Sequence, residues 1–214
     1  SISIIITSVY DIALPETGFV SFFADAIIYI IHETGYIGIF LLMILESALI
    51  PIPSEIIMPF SGFLCYLGEL SLFNVVLAGT LGNLVGSLIA YWIGIRFGRN
   101  FVLSYGKYLF IHKSHLELAE RLFNEHGEII IFFSRMLPAV RTVISLPAGL
   151  GKMDIRKFTI YTFLGSIPWN FMLVYFGFIL GNKWYTIINV FRKIDLIIII
   201  CLLLILIWVI KKEK

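Results

Sequence analysis

The sequence predicts an all-α integral membrane protein built from two inverted repeats. Hydrophobic residues make up 59% of the 214 residues and charged residues only 14%, which is too few charges to cover the surface of a soluble domain. Prolines with charged neighbours interrupt two of the apolar stretches, and similar segments follow each interruption. Broken helices in inverted repeats are a recurring plan among membrane transporters.

The basic residues are confined to the second part of the chain. No Lys or Arg precedes Arg96, and all 16 lie from there onward. Since basic residues in short loops mark the cytoplasmic side of a membrane, residues 96–121 are expected inside and the acidic N-terminal part outside. Lys183, Arg192 and Lys193 would fall outside in this scheme, so the orientation stays open.

Three stretches are long and apolar enough to cross a bilayer, which takes about 20 residues. They are Leu72–Ile95, Phe158–Leu180 and Ile194–Ile210. Phe19–Ile31 and His115–His126 mix apolar and polar residues, which predicts amphipathic helices at the membrane interface. For the second of these, a solvated loop helix is an equal alternative.

Two further apolar segments, Ile37–Leu67 and Ile129–Leu150, are predicted to be re-entrant hairpins. Each would have a half-helix in, a proline turn near mid-membrane and a half-helix out. The interrupting prolines are Pro51, Pro53 and Pro59 in the first segment and Pro138 and Pro147 in the second. Because proline removes a backbone donor, such breaks occur in a bilayer only where they line a cavity or lie inside the protein.

The two hairpins are followed by similar segments. A small-residue step comes first, Ser61–Leu64 in one half and Pro147–Leu150 in the other. A long helix follows in each half, and Gly82–Gly94 and Gly165–Gly177 share a glycine at the start and an aromatic residue near a final glycine. This similarity predicts the internal repeat.

The pattern divides the chain into an N-terminal amphipathic segment, a membrane transport core, and a C-terminal transmembrane helix with a basic tail. These parts are residues 1–34, 35–184 and 185–214. Glycines four residues apart, Gly94 with Gly98 and Gly177 with Gly181, suit close helix packing. They are compatible with a homo-oligomer and do not decide the oligomeric state.

Four ionisable residues flank the two proline turns. Glu46 and Glu55 lie at the first turn, and Arg135 and Arg141 at the second. An ionisable group at the bilayer centre costs about 3 kcal/mol or more unless it is paired or wetted. If the turns face each other, the two carboxylates meet the two guanidiniums and offset much of that cost. Salt bridges that only pin the turns together are one alternative, and a polar cavity for a substrate is the other.

The cavity interpretation assigns a role to each charge. Arg135 and Arg141 are predicted to bind phosphate, because a planar guanidinium grips two oxygens at once. Glu46 and Glu55 would compete with that substrate for the arginines and take up protons when displaced, which predicts proton coupling. The predicted hinges are the prolines of the turns, Pro51, Pro53 and Pro138.

Three motifs carry a family resemblance. They are E-x4-P-x-P-S-E at Glu46–Glu55, the glycine and aromatic pattern of Gly82–Arg99, and F-x-x-R-x-x-P-x-x-R-T with a later AG and Met at Phe132–Met153. Together they resemble the DedA family, the bacterial and archaeal relatives of the eukaryotic VTT (SNARE-associated) membrane proteins. The resemblance covers Ile37–Trp184, and the block with two arginines is its most specific part.

The resemblance implies a lipid transporter or scramblase. Members recycle the carrier lipid undecaprenyl phosphate to the cytoplasmic face or move phospholipids such as phosphatidylethanolamine, and some depend on the proton-motive force. In the family, two acids and two arginines are important, and they match Glu46, Glu55, Arg135 and Arg141. Many members have aspartate where this chain has Asn83, so one titratable group of the family pattern is absent here.

The favoured function is therefore translocation of an anionic lipid phosphate by a multi-pass protein of the cell membrane. Undecaprenyl phosphate comes first as substrate and phosphatidylethanolamine second. A proton-coupled ion or small-solute transporter would use the same charges. A lipid phosphatase would need an activated nucleophile, and Ser54 has no histidine in its segment. Neither a metal, another cofactor nor a nucleic-acid partner is expected.

Overall fold

The computed structural model describes residues 19–50, 52–98 and 113–183. Within these ranges the chain forms the α-helices α1 Phe19–Thr34, α2 Tyr36–Ser47, α3 Ser54–Tyr66, α4 Leu72–Ile93, α5 Lys113–Ser134, α6 Pro138–Val143, α7 Ser145–Leu150 and α8 Ile155–Leu180. A π-helical turn, Gly94–Gly98, continues α4, and a 3-10 turn, Gly181–Lys183, follows α8. All regular structure in the described part is helical, as predicted. Pro51 and the predicted helix Ile194–Ile210 lie outside the described residues.

Two of the helices are long and apolar enough to cross a membrane by length and composition. They correspond to Leu72–Arg96, with 25 residues, and Ile155–Lys183, with 29 residues. Both coincide with stretches that the sequence predicts as membrane spans. The predicted amphipathic stretch Phe19–Ile31 lies within the helix α1, and the buried side chains Ile27, Ile28 and Ile31 lie on one face of it, as expected of an amphipathic helix.

The start of α8 lies a turn earlier than predicted, because Asp154 caps it. The Asp154 carboxylate accepts hydrogen bonds from the backbone N–H groups of Arg156 at 2.9 Å and Lys157 at 3.0 Å. Lys157 Nζ lies 2.6 Å from the Glu128 carboxylate, and Tyr161 donates to the same group at 3.2 Å. The hydrogen bond from Lys157 holds the pKa of Glu128 below its usual value. This polar cluster ties the beginning of α8 to α5.

The described helices have an apolar exterior, and a set of polar and charged side chains is buried among the apolar side chains of the core. Phe73, Ile129 and Trp92 are 72%, 60% and 58% exposed. The buried polar and charged residues include Glu46, Asn83, Arg135, Arg141 and Asn170. A water-soluble domain places its charged side chains on the surface, whereas lipid favours apolar side chains outside and polar side chains against one another. The burial pattern therefore agrees with the membrane assignment made from composition.

Both charged proline turns are real breaks in the helices. α2 ends at Ser47 and α3 begins at Ser54, and Leu49 between them has a left-handed φ of 74°. α5 ends at Ser134, and Pro138 is the first residue of α6. Proline suits the first position of a helix, because the N–H that it lacks would have no intrahelical partner there.

The sequence predicts that two other prolines, Pro59 and Pro147, interrupt helices, and this prediction is wrong. Pro59 lies inside α3 and Pro147 inside α7. Pro59 removes only the hydrogen bond to the Glu55 carbonyl, in the second turn of the helix. Pro147 lies in the first turn of α7, where the N–H groups are unpaired in any helix.

The second hairpin also differs from the prediction. The predicted interfacial helix His115–His126 and the half-helix expected from Ile129 are parts of one helix, α5. Gly127 lies between them, and a Cβ there would meet the Met153 sulfur at 2.9 Å. Gly127 thus permits a close contact rather than ending a helix. The break after α5 is followed by two helices of six residues each.

Glycines let α3 and α8 touch backbone to backbone. A Cβ on Gly62 would overlap the Val174 carbonyl oxygen, and a Cβ on Gly177 would overlap the Pro59 carbonyl oxygen. In membranes, where lipid competes for apolar contacts, small residues favour helix association by allowing such close approach. This seam joins the helix after the first break to the second long helix.

The same contact occurs between α4 and α7. A Cβ on Gly149 would overlap the Tyr91 carbonyl oxygen, and a Cβ on Gly94 would overlap the Leu146 carbonyl oxygen. This second seam joins the helices that follow the second break to the first long helix. Gly94, which the sequence indicates as a packing residue, is therefore used within the chain, and so is Gly177 in the other seam.

Candidate functional site

Arg141 lies in a buried polar cluster that joins the two helix breaks. Its Nη2 donates to Glu46 Oε1 and to Ser54 Oγ, and Glu55 Oε1 lies 4.0 Å away. The guanidinium carbon lies 5.3 Å from the centroid of the Trp169 ring. The side chains of Arg141 and Glu46 are each only 5% exposed, so solvent and salt screen this ion pair little.

The helix breaks position these groups. Glu46 lies in the last turn of α2, Ser54 and Glu55 open α3, and Arg141 lies in the first turn of α6 just after Pro138. The first N–H groups of a helix have no intrahelical acceptor and carry partial positive charge. The start of α3 therefore adds to the positive potential around Arg141 and favours an anion there.

Arg135 has contacts that the sequence does not predict. Its Nη1 donates to the Arg141 carbonyl oxygen at 2.7 Å, and its Nη2 donates to Ser145 Oγ at 2.8 Å and Thr162 Oγ1 at 3.3 Å. The Phe158 ring centroid lies 5.9 Å from its guanidinium carbon. Among the described residues no carboxylate is within ion-pairing distance of Arg135. The prediction that the carboxylates meet the guanidiniums is confirmed for Arg141 and is wrong for Arg135. The Arg135 guanidinium donates instead to neutral oxygen atoms of Arg141, Ser145 and Thr162.

Each of the two arginines has a buried donor without a partner. In the described part of the chain, the Nε of Arg135 and the Nε of Arg141 are buried and have no hydrogen-bond partner. A buried donor left unpaired costs about 1–3 kcal/mol, so an anionic oxygen that reached either atom would be stabilised. Arg135 also bonds to the backbone carbonyl of Arg141, which links the two arginines directly.

A second polar set lies between the long helices and ends on Glu46. Asn170 Nδ2 on α8 donates to Asn83 Oδ1 at 2.8 Å and to Thr80 Oγ1 at 3.2 Å. Asn83 Nδ2 on α4 donates to Ser47 Oγ at 2.7 Å and to Glu46 Oε2 at 3.3 Å. The Ser47 hydroxyl donates to the same carboxylate oxygen at 3.0 Å. Glu46 therefore receives the ion pair on one oxygen and this hydrogen-bonded chain on the other.

Most of these polar partners are absent from the sequence prediction. The residues that it misses are Ser47, Thr80, Ser145, Thr162, Trp169 and Asn170, and Ser54 is considered there only as a nucleophile. A signal was available, because polar residues recur at helical spacing in both long apolar helices. They are Thr80, Asn83 and Ser87 in α4 and Thr162, Ser166 and Asn170 in α8. Such a stripe in a lipid-embedded helix has to face the protein interior.

The predicted hinge residues lie at the breaks where they are described. Pro53 immediately precedes α3 and Pro138 begins α6, while Pro51 is outside the described residues. The substrate-binding, proton-coupling and hinge roles stay predictions. Within the described ranges no group of three or more His, Cys, Asp or Glu side chains is placed to hold a metal ion.

Comparison with known proteins identifies the family. The model of the VTT domain matches residues 52–179, which is more than half of the chain and includes the helices from α3 to α8. The chain belongs to the VTT-domain family, also called the DedA family. No solved structure matches this DedA-family chain.

Several relatives of this DedA-family chain are named as membrane proteins or transporters. Membrane protein YkoX of Bacillus subtilis is 39% identical over 84% of this chain and 80% of its own length. Undecaprenyl phosphate transporter A of Bacillus subtilis is 37% identical over 73% of this chain and 77% of its own length. An alkaline phosphatase-like protein of Lactococcus lactis is 34% identical over 83% of this chain and 86% of its own length. The chain is thus a membrane protein of a family that contains transporters.

Proposed function

We propose that this protein translocates an anionic lipid phosphate across the bilayer and that undecaprenyl phosphate is the favoured substrate. The observation that carries the proposal is a buried arginine, Arg141, held by Glu46 and Ser54 where two helix breaks meet. Ionisable residues inside a membrane protein are rare, and they commonly mark substrate or ion pathways. The name of a relative, undecaprenyl phosphate transporter A, supports the choice of lipid.

The phosphate binds by replacing the Glu46 carboxylate on Arg141. A guanidinium holds carboxylate and phosphate oxygens with the same fork, so the two anions compete for one cation. The Ser54 hydroxyl lies beside the Arg141 Nη2, and this hydroxyl and the first backbone N–H groups of α3, those of Ser54 and Glu55, donate to the remaining phosphate oxygens. The unused Nε of Arg135 provides a further donor.

Ser54 provides a prediction for this binding step. Ser54→Ala is expected to raise the half-saturating lipid concentration about tenfold, because a hydrogen bond to a charged group contributes about 1.5–3 kcal/mol. The measurement is transport rate against lipid content in proteoliposomes. Ser61→Ala is the matched control, since Ser61 is a buried serine of the same helix whose hydroxyl bonds within the helix to Ile57. Equal half-saturation in the Ser54 variant and the wild type would contradict this role.

Proton uptake by Glu46, with Glu55 close to the same arginine, couples to lipid movement. A protonated Glu46 no longer neutralises Arg141, so the phosphate binds more readily as the pH falls. Opening at Pro51, Pro53 and Pro138 then lets the occupied site face one leaflet and afterwards the other. The wild type is therefore expected to transport faster at low pH.

Glu46→Gln tests this coupling, because glutamine resembles the protonated acid. The variant is expected to transport at the low-pH rate of the wild type throughout the pH range, with the pH dependence reduced to less than about twofold. The measurement is the pH profile of lipid transport. Glu69→Gln, at an exposed acid just after α3, is the control and should keep the wild-type profile. A Glu46 variant with the full wild-type profile would remove the basis for proton coupling.

We also propose that the two halves are inverted repeats with re-entrant hairpins. Support comes from the two glycine seams, which repeat one contact with the same three-residue spacings: Pro59 to Gly62 against Val174 to Gly177, and Leu146 to Gly149 against Tyr91 to Gly94. Each seam joins a post-break helix of one half to the long helix of the other. An exchange of this kind is expected from a pseudo-two-fold axis between repeats.

The transport core in this proposal is residues 35–184, between the N-terminal segment 1–34 and the C-terminal helix of 185–214. The protein is placed in the cell membrane as a multi-pass protein. Because Gly94 and Gly177 pack within the chain, a homo-oligomer would use other surfaces.

The decisive experiment is lipid translocation in proteoliposomes that contain the purified protein and either undecaprenyl phosphate or phosphatidylethanolamine. Faster movement of undecaprenyl phosphate than in empty vesicles is the expected result. Movement of phosphatidylethanolamine alone would favour the phospholipid substrate. Movement of neither lipid under any imposed pH gradient would overturn the proposal and favour the ion or solute transporter. Release of inorganic phosphate from the lipid would instead indicate a phosphatase, and we expect none.

A further inference from the structure

The hydrogen-bonded chain from α8 to Glu46 has a fixed direction. Asn170 donates its amide hydrogens to Asn83 Oδ1 and Thr80 Oγ1, and Asn83 donates to Ser47 Oγ and Glu46 Oε2. The four polar residues of this chain besides Glu46, which are Ser47, Thr80, Asn83 and Asn170, are each at most 2% exposed. The bonds from Asn170 to Asn83, and from Asn83 and Ser47 to Glu46, each direct a donor toward the carboxylate.

This direction depends on Asn170. With the Asn170 NH2 group facing Asn83 Oδ1 at 2.8 Å, the Asn83 amide turns its NH2 group toward Glu46. The opposite orientation would place the Asn83 oxygen against the Glu46 carboxylate and the Asn83 NH2 against the Asn170 NH2, and both contacts would be repulsive. The arrangement is consistent with Glu46 as an acceptor on both oxygens, which describes an ionised carboxylate.

Charged groups from the other packed elements face the same carboxylate. Arg141 on α6 pairs with it, Glu55 on α3 repels it, and Arg135, which follows α5, attracts it. On α1, His32 Nδ1 lies 3.4 Å from the Glu33 carboxylate, so these two side chains pair with each other. The long helices α4 and α8 contribute only the neutral Asn83 and Asn170 to this environment. Their amides are thus the uncharged groups that, together with these charges, set the pH at which Glu46 takes up a proton.

We propose that Asn170 is a positioning residue that acts through Asn83 to hold Glu46 as the ionised counter-anion of Arg141. In this way it sets the pH at which Arg141 becomes available to the lipid phosphate. The inference rests on the proposed function for that last consequence. The hydrogen-bond chain itself is testable without any lipid.

The first readout is an infrared titration of Glu46 in the purified protein, with its carboxyl band assigned by its loss in Glu46→Gln. Asn170→Leu has nearly the same volume and no donor. It is expected to raise the midpoint of Glu46 protonation by about one pH unit, which matches the loss of one hydrogen bond to a charged group. Ser166→Ala is the control, because Ser166 is a buried residue of the same helix whose hydroxyl bonds only to the Thr162 carbonyl, and its midpoint should not move.

A double variant tests whether Asn170 acts through Asn83. Asn83→Leu is expected to raise the midpoint by itself, and adding Asn170→Leu to it should raise the midpoint no further, because residues acting in one chain are not additive. If the leucine variant of Asn170 does not fold, Asn170→Ser, which keeps a hydroxyl and lacks the amide, is measured instead. An unshifted midpoint in a folded Asn170 variant, or additive shifts in the double variant, would overturn the proposal.

The second readout separates this proposal from the proposed function. The pH profile of lipid transport by Asn170→Leu should move upward by the same amount as the Glu46 midpoint. If the midpoint moves but the wild type carries neither lipid, the positioning role stands and the lipid function fails. If the wild type carries lipid and the midpoint does not move, the function stands and the positioning role is overturned.

Discussion

Arg141→Ala is expected to reduce lipid transport at least 30-fold. The substitution removes the group that binds the phosphate in the proposed mechanism, and losing one partner of a buried, hydrogen-bonded charge pair costs about 2–5 kcal/mol. A loss of 2 kcal/mol in transition-state stabilisation corresponds to about a 30-fold slower rate. The measurement is the initial rate of undecaprenyl phosphate movement in proteoliposomes at matched protein content.

Part of any loss in Arg141→Ala would come from instability, because Glu46 is then buried without a counter-charge. The double variant Arg141→Ala with Glu46→Gln separates the two causes. It is expected to recover much of the thermal stability and none of the transport. Arg141→Lys keeps the charge without the planar fork, and an intermediate rate is expected. If the double variant transported as well as Glu46→Gln alone, Arg141 would have only a structural role.

The glycine seams are expected to have the largest effect on folding. Gly177→Ala should lower the free energy of unfolding by about 1–3 kcal/mol, the usual cost of overpacking. A Cβ there would lie 2.7 Å from the backbone C and Cα of Pro59, and these atoms cannot rotate away as a side chain can. In a protein of this size the loss corresponds to about 3–10 °C in the midpoint of thermal unfolding, which is the quantity to measure.

Gly127→Ala is the matched control for the seam. It is also a helical glycine with a close neighbour, but its Cβ would meet the flexible end of the Met153 side chain, at 2.9 Å from the sulfur. Alanine is favoured over glycine inside a helix by about 1 kcal/mol, so this variant should be as stable as the wild type or more stable. If Gly177→Ala were equally tolerated, the seam would not be as close as the structure indicates.

The sequence by itself determines the class of protein, the long helices and the positions of the two charged breaks. These are local properties. The composition indicates whether the protein lies in lipid or in water, and a run of about 20 apolar residues predicts a membrane-spanning helix. A proline beside a buried charge marks a break in a helix. The same reasoning fails where a local signal has another use. Pro59 and Pro147 lie at positions that a helix tolerates, and Gly127 serves packing.

Tertiary structure alone decides which polar groups meet. Arg135 and Arg141 are equivalent in sequence pattern, yet only Arg141 reaches a carboxylate. Asn170 is far from Asn83 along the chain and becomes its partner because α4 and α8 pack against each other. Contacts between distant residues depend on helix lengths and on the depth of each seam, and a local pattern contains neither.

The difference between the two halves has the same origin. The long helices make one contact alike: a Cβ on Gly82 would meet the Phe40 carbonyl oxygen at 2.6 Å, and a Cβ on Gly165 would meet that of Phe132 at 2.8 Å. One turn later the first half has Gly86, which leaves room for the end of α2, and the second half has Trp169. α5 ends two residues after Phe132, whereas α2 continues for seven residues after Phe40, and Arg141 packs on the Trp169 ring. Only the packed helices reveal this contact.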